Sequence, residues 1–503
     1  MDGPARPGGG ALMGYAELTA DEYRAASALD LGRRVAAGEL SPVHLAELAL
    51  ELAAQAEPVI NAYAALLPER ARATAAAREA EVRAGTVRSP LHGVPIAVKD
   101  NMLEEGVPAG KGSLTSSDEP APASSPMVGR LLDAGAVVIG RTTTPEFGWK
   151  ATGISPRTGI TRNPWDPQRN PGGSSAGSGA TVGSGAVPIA TGTDAGGSVR
   201  IPAAFCGVVG LKPTLGAIPV WPSTVNENLS HAGVLTRDVR DARAVLALTR
   251  GPDPRDPQSY WSRPPAGDGE RRLRVGIVRA PFGIDPEEDV AAAVGRALDA
   301  LVAAGGADYA ETTLPTELPR AVFEVLWVTG RGLGFRDLAR EHADVMDPGL
   351  VRLGPLAEAY DLPAFYAAMT ARREFNFAMA HVLDEWDLLV MPTMPITAFA
   401  ADAEVPPGGE ADAPLPWITW TPYTYPFNIT GQPAITLPTG LGRGGMPVGA
   451  QIVGPWAHDE RVLEFAVHAQ RVLASTNERT VAPTAQMPTS TMQVDHPRAR
   501  RDR

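Results

Sequence analysis

Residues 163–214 form a segment rich in glycine and serine, and this segment constrains the fold more than any other part of the sequence. Glycine loses more backbone entropy on folding than any other residue, so such a dense run has to serve close packing or the approach of a substrate. Ser174 and Ser198 each follow a pair of glycines. Glycine pairs allow the backbone geometry that directs successive N–H groups to one point, as an oxyanion hole requires. The segment therefore makes Ser198 a candidate nucleophile.

A serine nucleophile needs a base, and Lys99 is the candidate that the sequence offers. No histidine lies in the glycine-rich segment, whereas Lys99 follows the apolar run at residues 94–98. A lysine pKa near 10.4 would have to fall by about 3 units, roughly 4 kcal/mol, which burial can supply. The alternative is that Lys99 only ends a strand and extends its ammonium group to water. The strand alone leaves both interpretations open.

The composition excludes several classes of protein. With 503 residues, of which 44% are hydrophobic and 20% charged, the chain can bury a large core and is not disordered as a whole. A net charge of -12 disfavours binding to nucleic acid or to an anionic membrane. Cys206 is the single cysteine, so an intramolecular disulfide is excluded. No run approaches the roughly 20 apolar residues that span a bilayer, and no signal peptide is visible, so we expect a cytoplasmic protein.

Short apolar runs separated by glycine and proline predict buried strands that alternate with helices. The predicted strands are residues 94–100, 135–142, 185–193, 273–278 and 387–392, with a hairpin formed by 434–440 and 446–454. The predicted helices start after Ser41 and span residues 238–248, 289–304 and 460–474, with further helix from 304 to 385. These patterns indicate an α/β protein.

No linker separates two self-sufficient patterns, so we predict one domain over residues 15–475. Its parts are a helical N-terminal region at 16–85, a core at about 91–235, a peripheral α/β portion at about 270–385 and a C-terminal part at 386–475 that completes the sheet. We expect residues 1–14 to be disordered and residues 476–503 to form a loose tail.

Three segments of the sequence resemble the amidase signature family of serine hydrolases. They are LHGVPIAVKDN at 91–101, NPGGSSAGS at 170–178 and GTDAGGSVRIPAAFCGVVGLKPT at 192–214. The resemblance extends over most of the chain, from residues 60–65 to residues 447–454. It implies the amidase signature fold, in which helices cover both faces of a central mixed β-sheet.

The resemblance also implies a Ser-cisSer-Lys triad. Ser198 would be the nucleophile, Ser174 a bridging serine after a cis peptide bond, and Lys99 the base. The backbone N–H groups of Ala195, Gly196, Gly197 and Ser198 would form the oxyanion hole. Acyl transfer of this kind needs no metal or cofactor, so we expect neither.

Two further groups of residues are expected to support the triad. We predict that Asp194 and Arg200 form a charge-assisted pair that makes the nucleophile loop rigid, and that the Ser175 hydroxyl lies behind the triad. The predicted substrate pocket consists of Phe147, Trp149, Gly172, Gly173, Trp417, Trp420 and Tyr423.

The identity of the substrate is set by loops rather than by the triad. The aromatic residues of the predicted pocket favour a hydrolase of small apolar or aromatic amides, and the same chemistry would extend to aryl carbamates (urethanes) and esters. We expect such an enzyme to contact neither nucleic acid nor membrane. Many members of the family are homodimers, but nothing in this sequence identifies an interface.

The alternative is the glutaminase-type A subunit of a tRNA-dependent amidotransferase. That subunit resembles the chain near residues 424–433 but has an aspartate seven residues before the shared Asn428, where it binds the ammonium group of glutamine. Here that position is Thr421. On the sequence alone, this departure favours the hydrolase.

Overall fold

The structure is a computed structural model of the chain, and it describes residues 15–226, 228–261, 271–314 and 317–476. The expected disorder of residues 1–14 and the expected tail beyond residue 476 lie outside the described residues.

The described residues form fifteen α-helices, five short 3-10 helices and thirteen strands. The helices are α1 (Ala20–Ala25), α2 (Ala28–Ala36), α3 (Pro42–Ile60), α4 (Pro68–Arg83), α5 (Pro126–Asp133), α6 (Ala176–Gly183), α7 (Arg200–Cys206), α8 (Val239–Thr249), α9 (Glu288–Ala304), α10 (Arg320–Gly334), α11 (Arg336–His342), α12 (Pro348–Glu358), α13 (Leu362–Glu385), α14 (Pro426–Ile429) and α15 (Asp459–Thr476). The strands are β1 (Tyr63–Leu66), β2 (Pro95–Lys99), β3 (Val137–Thr142), β4 (Ile154–Ser155), β5 (Gly159–Ile160), β6 (Ile189–Asp194), β7 (Val209–Lys212), β8 (His231–Thr236), β9 (Leu273–Ile277), β10 (Ala307–Glu311), β11 (Leu388–Pro392), β12 (Ala434–Leu441) and β13 (Pro447–Val453).

Eleven of these strands form one mixed sheet in the order β1-β3-β2-β6-β8-β7-β12-β13-β11-β9-β10. Strand β2 pairs in parallel with both β3 and β6, and β9 pairs in parallel with β10 and β11. The remaining pairs in the sheet are antiparallel, and β4 and β5 form a separate two-stranded sheet. Two large apolar clusters pack helices against this sheet, so the predicted α/β architecture with a mixed sheet flanked by helices is confirmed.

Several local predictions are confirmed, because the signals that carried them are local. The Ser41 hydroxyl accepts a hydrogen bond from the His44 N–H at the start of α3, and Asp238 caps α8 in the same way. Every residue of β2 and β3 is buried, as expected for parallel strands that are covered on both faces. The hairpin of β12 and β13 forms with its glycine-rich turn.

The prediction of continuous helix from 304 to 385 is wrong at residues 307–311, which form β10. This strand lies at the edge of the sheet and is mostly exposed, so its sequence contains no apolar run that would reveal it. Its pairing with β9 decides its structure, and such tertiary pairing overrides a weak local preference. Edge strand β1 lies inside the region predicted to be helical, and it too is a strand because it pairs with its neighbour, β3.

The sheet topology places the ends of β2 and β6 side by side. Lys99 is the last residue of β2, and Asp194 is the last residue of the parallel neighbour β6. The carboxyl ends of parallel strands meet at the same edge of a sheet, where ligand sites commonly form. Within the ranges that the structure covers, no helix combines the length and the apolar character needed to cross a bilayer.

Candidate active site

Lys99 lies fully buried at the end of β2, beside three hydroxyl groups. Its Nζ is 2.8 Å from Ser174 Oγ, 3.0 Å from Ser175 Oγ and 2.9 Å from Thr193 Oγ1. Burial lowers the pKa of Lys99 well below its ordinary value, and the charge of Arg331 lowers this pKa further, against an opposite effect of Asp194. The interpretation in which this side chain reaches water is therefore wrong, since none of it is exposed.

Ser174 and Ser175 lie directly before helix α6. The peptide bond between Gly173 and Ser174 is cis. The Ser175 N–H donates to the Ser198 carbonyl at 3.1 Å, which joins the two serine segments. In the part of the chain that the structure describes, no hydrogen bond links Ser174 Oγ to Ser198 Oγ, and such contacts often tighten only when substrate binds.

The Ser198 loop connects β6 to α7, and hydrogen bonds to the Asp194 side chain fix its conformation. The Asp194 carboxylate accepts hydrogen bonds from the N–H groups of Gly197 at 2.8 Å and Val199 at 3.2 Å. Arg200 binds the same carboxylate through Nε at 3.0 Å and Nη2 at 3.1 Å, and both side chains are fully buried. Burial by itself would raise the pKa of Asp194, but the charge and hydrogen bonds of Arg200 outweigh it and hold that pKa below its usual range.

This arrangement corrects the expected set of oxyanion donors. The Gly197 N–H is committed to Asp194, so it is not available to a substrate oxygen. Among the described residues, no acceptor is found for the N–H groups of Ala195, Gly196 and Ser198. These three groups remain as candidate donors, because an oxyanion hole needs N–H groups that are not already satisfied.

Gly197→Ala tests the geometry of this loop. Gly197 has φ +126°, and an added Cβ would lie 2.3 Å from Thr424 Oγ1. We expect the variant to lose about 1–3 kcal/mol of unfolding free energy and roughly 100-fold in kcat/KM, because the displaced loop moves the donors. Urea unfolding and steady-state kinetics measure the two effects.

Gly251→Ala is the matched control. Gly251 has φ +108°, but an added Cβ would meet nothing within 4 Å, so this variant carries the backbone strain without the clash. It should lose about 1 kcal/mol of stability and keep its kcat/KM. Equal kcat/KM in the two variants would show that the Gly197 loop does not position the donors.

A cavity of about 290 Å³ opens above the serines. Ser174, Ser198 and Ala195 line it, together with Phe147, His231 and Arg331. Of the residues predicted for the substrate pocket, only Phe147 lies on the cavity wall.

The other predicted pocket residues lie elsewhere, which corrects that part of the prediction. Gly172 and Gly173 pack against Ile201 and the Thr152 carbonyl, behind the cavity wall. The remaining four rings are buried in the protein core: Trp149, Trp417, Trp420 and Tyr423. Trp417, for example, packs edge-on against Phe323 and Trp327. A cluster of aromatic residues in a sequence does not distinguish a core from a pocket, because both are apolar.

Two residues of the site were missed. Thr193 lies in the motif at 192–214 but was not predicted as a site residue. Its Oγ1 contacts both Lys99 Nζ and Asn101 Nδ2. Arg331 lies on α10, far along the chain, and no local pattern marks it. Its place on the cavity wall follows only from packing of α10 beside the triad.

The described residues contain no cluster of three or more His, Cys, Asp or Glu side chains that could hold a metal ion. The chemistry that the site offers is that of buried hydroxyls, a lysine with a lowered pKa and free backbone N–H groups. This set of groups suits acyl transfer through a serine.

A family model described as Amidase matches residues 44–463. The chain belongs to the amidase family. The family resemblance drawn from the three sequence segments is therefore confirmed, and this amidase is an enzyme that cleaves C–N bonds.

Known proteins resemble this amidase over nearly its whole length. The A subunit of glutamyl-tRNA(Gln) amidotransferase from Symbiobacterium thermophilum is 34% identical over 482 residues, covering 89% of this chain and 96% of the relative. The structure of 6-aminohexanoate cyclic dimer hydrolase complexed with substrate has a TM-score of 0.80 and 29% identity, with 90% and 97% of the two chains covered. A bacterial aryl acylamidase of the amidase signature family also has a TM-score of 0.80, with 26% identity and 89% and 96% covered.

These relatives correct the predicted function. Further curated relatives of 31% to 34% identity are likewise named as the A subunit of this amidotransferase, so the prediction of a hydrolase of small apolar amides is wrong and the alternative is favoured. The structure shows why the prediction failed. Four of the five rings on which it rested lie in the core, with Phe147 as the exception. Thr421 is buried with its hydroxyl donating to the Trp417 carbonyl, away from the cavity wall.

The expectation about partners is wrong for the same reason. The relatives are named as one subunit of an enzyme that acts on glutamyl-tRNA, which conflicts with the expectation of an enzyme that acts only on a small molecule and contacts no nucleic acid. Net charge describes the average over a whole surface, so a value of -12 does not exclude a role beside RNA.

Proposed function

We propose that this amidase is the glutaminase-type A subunit of a tRNA-dependent amidotransferase and that it releases ammonia from the side-chain amide of glutamine. The observation that carries the proposal is the match to relatives of that name, which covers 89% of this chain and 96% of the relative in the first case. The partners in this proposal are the other subunits of the enzyme and a glutamyl-tRNA. We place the reaction in the cytoplasm.

The geometry supports a serine-based mechanism for this reaction. Ser198 Oγ attacks the carboxamide carbon, and its proton passes through Ser174 to Lys99 and then to the departing ammonia. A neutral lysine amine has two N–H donors and one lone pair, so one of its three hydroxyl neighbours has to donate to it. Ser174 and Thr193 both line the cavity, and Ser174 is the one that the family resemblance implies as the bridging serine.

The free N–H groups of the loop support the next step. Those of Ala195, Gly196 and Ser198 stabilise the negative charge that develops on the carbonyl oxygen. Water then cleaves the acyl-enzyme and releases glutamate, with Lys99 now acting as the base. Every step uses groups of this chain, the substrate or water.

The test supplies the chain in place of the native A subunit in the Symbiobacterium thermophilum amidotransferase. We expect release of ammonia from L-glutamine and glutamine-dependent amidation of glutamyl-tRNA. Ser198→Ala should lower both by at least about 10⁴-fold, as loss of a serine nucleophile does in other hydrolases. Ser184→Ala is the matched control, because Ser184 caps the far end of α6 and its hydroxyl only donates to the Thr181 carbonyl.

An anilide and an aryl carbamate are assayed beside glutamine. Carbamate cleavage would begin with the same attack by Ser198 but would leave an alkoxycarbonyl or carbamoyl group on the serine, and it would count as a side activity of the site. Cleavage of the anilide or the carbamate without any release of ammonia from glutamine, alone or in the assembled enzyme, would overturn the proposal.

A further inference from the structure

Arg331 is a buried cation on the wall of the active-site cavity, and no carboxylate of the described residues balances its charge. It is 7% exposed and forms no ion pair within the residues that the structure covers. Its Nη1 donates a hydrogen bond to the Phe147 carbonyl at 2.8 Å, and its Nε is buried and has no partner among the described residues. Leaving a buried guanidinium without an anion is costly, so the observation calls for a ligand.

The surroundings fix the position of this guanidinium. Arg331 Cζ lies 4.9 Å from the ring centre of Trp327 and 5.8 Å from that of Phe335, and such aromatic faces stabilise a cation without neutralising it. Burial lowers the pKa of Arg331 to about 10, so it stays charged at neutral pH. The rotamer is thus held in place before any substrate binds.

Arg331 also lies close to the reacting groups. It is anchored to the carbonyl of Phe147, and the next residue, Gly148, borders the triad, since an added Cβ there would lie 3.1 Å from Ser174 Oγ. The charge of Arg331 reaches Lys99, whose pKa it lowers. When the amide of a short substrate lies at Ser174 and Ser198, the other end of that substrate therefore lies near the Arg331 guanidinium.

The charged side chains on the cavity wall are positive. Lys111 lines the cavity as well, and among the described lining residues there is no Asp or Glu. A carboxylate entering this cavity meets two cations, whereas an ammonium group meets no fixed anion. Charge-assisted hydrogen bonds from arginine to carboxylate are among the strongest in proteins and are commonly bidentate.

We propose that Arg331 binds the carboxylate of the substrate and that the cavity recognises the carboxylate of glutamine but not its ammonium group. The inference rests on the proposed hydrolysis of a carboxamide at this site. It names the preferred substrate class, which is a short ω-carboxamide with a carboxylate at its other end, with or without an amino group.

Three substrates distinguish the effect of the carboxylate from that of the ammonium group: L-glutamine, glutaramate and pentanamide. Glutaramate is glutamine without its amino group, and pentanamide lacks the carboxylate as well. We expect kcat/KM for glutaramate to equal or exceed that for L-glutamine and to exceed that for pentanamide by roughly 10- to 100-fold, the range that a hydrogen bond between charged groups supplies.

The variants are Arg331→Met and Arg331→Lys, with Arg372→Met as the matched control. Arg372 is partly buried and also donates to carbonyls, those of Ile429 at 2.9 Å and Asn228 at 2.8 Å, but it lies on α13 outside the active-site cavity. The ratio of glutaramate to pentanamide should fall to near one in Arg331→Met and to an intermediate value in Arg331→Lys. It should stay at the wild-type value in Arg372→Met.

Because the ratio is taken within each variant, a general loss of activity does not affect it. A ratio that is unchanged in Arg331→Met, or equal losses on both substrates, would show that Arg331 only supports the fold and would overturn the inference. Should Arg331→Met not fold, Arg331→Lys decides: its ratio of glutaramate to pentanamide has to lie below that of the wild type, because lysine cannot form the bidentate contact.

Failure of the proposed function has a different signature. If the wild type releases no ammonia from any carboxamide but cleaves aryl esters, glutamine hydrolysis is excluded. The rates on the paired aryl esters of glutarate and pentanoate are then compared, in the wild type and in Arg331→Met, in place of the two carboxamides. A preference for the glutarate ester that disappears in the variant supports the inference, and equal rates on the two esters overturn it.

Discussion

Replacement of Lys99 by methionine is expected to lower kcat/KM for the carboxamide substrate by at least about 10³-fold without lowering the stability of the fold. Methionine has nearly the length of lysine and is apolar, so it fits the fully buried site at the end of β2. The activity falls because no group remains to take the proton that Ser174 passes on. Steady-state kinetics and urea unfolding test the two halves of the prediction.

The effect on stability follows from the pKa of Lys99. Burial lowers that pKa in the folded protein, whereas in the unfolded chain it returns to about 10.4. Between the two values the unfolded state binds more protons, so the contribution of Lys99 makes the wild type more stable as the pH rises. This contribution is absent from Lys99→Met. The difference in stability between variant and wild type should therefore shrink as the pH rises towards 10.

Lys212→Met is the matched control for this prediction. Lys212 is likewise fully buried with a pKa that burial lowers, but its ammonium donates to the carbonyls of Pro213 and Gln432, outside the cavity. Its loss should leave kcat/KM close to that of the wild type. An active Lys99→Met variant would eliminate Lys99 as the base.

The second large effect is expected for Asp194→Ala, which should lose about 3–5 kcal/mol of unfolding free energy together with nearly all activity. The variant leaves the Arg200 guanidinium buried without its anion, because both side chains are fully enclosed. It also frees the N–H groups of Gly197 and Val199 that hold the Ser198 loop. Chemical unfolding and kcat/KM on the same preparation measure both losses.

The double variant Asp194→Ala with Arg200→Met separates the two causes. Removing both charges should restore part of the stability, since a buried pair replaced by apolar groups is often neutral. Activity should not return, because the loop still lacks its anchor. Recovery of activity in the double variant would contradict the role of Asp194 in holding the loop and would assign the whole effect to the unpaired arginine.

How far the sequence predicts this site is clearest from its central residues. Lys99, Ser174 and Ser198 each lie in a short motif of glycine, serine and apolar residues, and the structure brings Lys99 and Ser174 into direct contact. The strands that carry Lys99 and Asp194 were also visible as apolar runs, because buried parallel strands need them. Edge strand β10 carries no such run and was missed.

The contacts of the residues around the triad could not be predicted from the sequence. Gly197 lies inside the motif, yet only the structure shows that its N–H is used by Asp194 rather than left for substrate. Trp417 looked like a pocket residue and lies in the core.

The sequence by itself determined the family, the α/β fold and the positions of the serines and the lysine. These depend on backbone conformation and burial over a few neighbouring residues, which leave a local pattern. Only the tertiary structure decided which side chains line the cavity. Arg331 and Phe147 come from segments nearly two hundred residues apart and meet through packing of α10 over the triad. No local pattern encodes such a meeting, because the direction of a side chain and the charge around it depend on what the rest of the chain packs beside it.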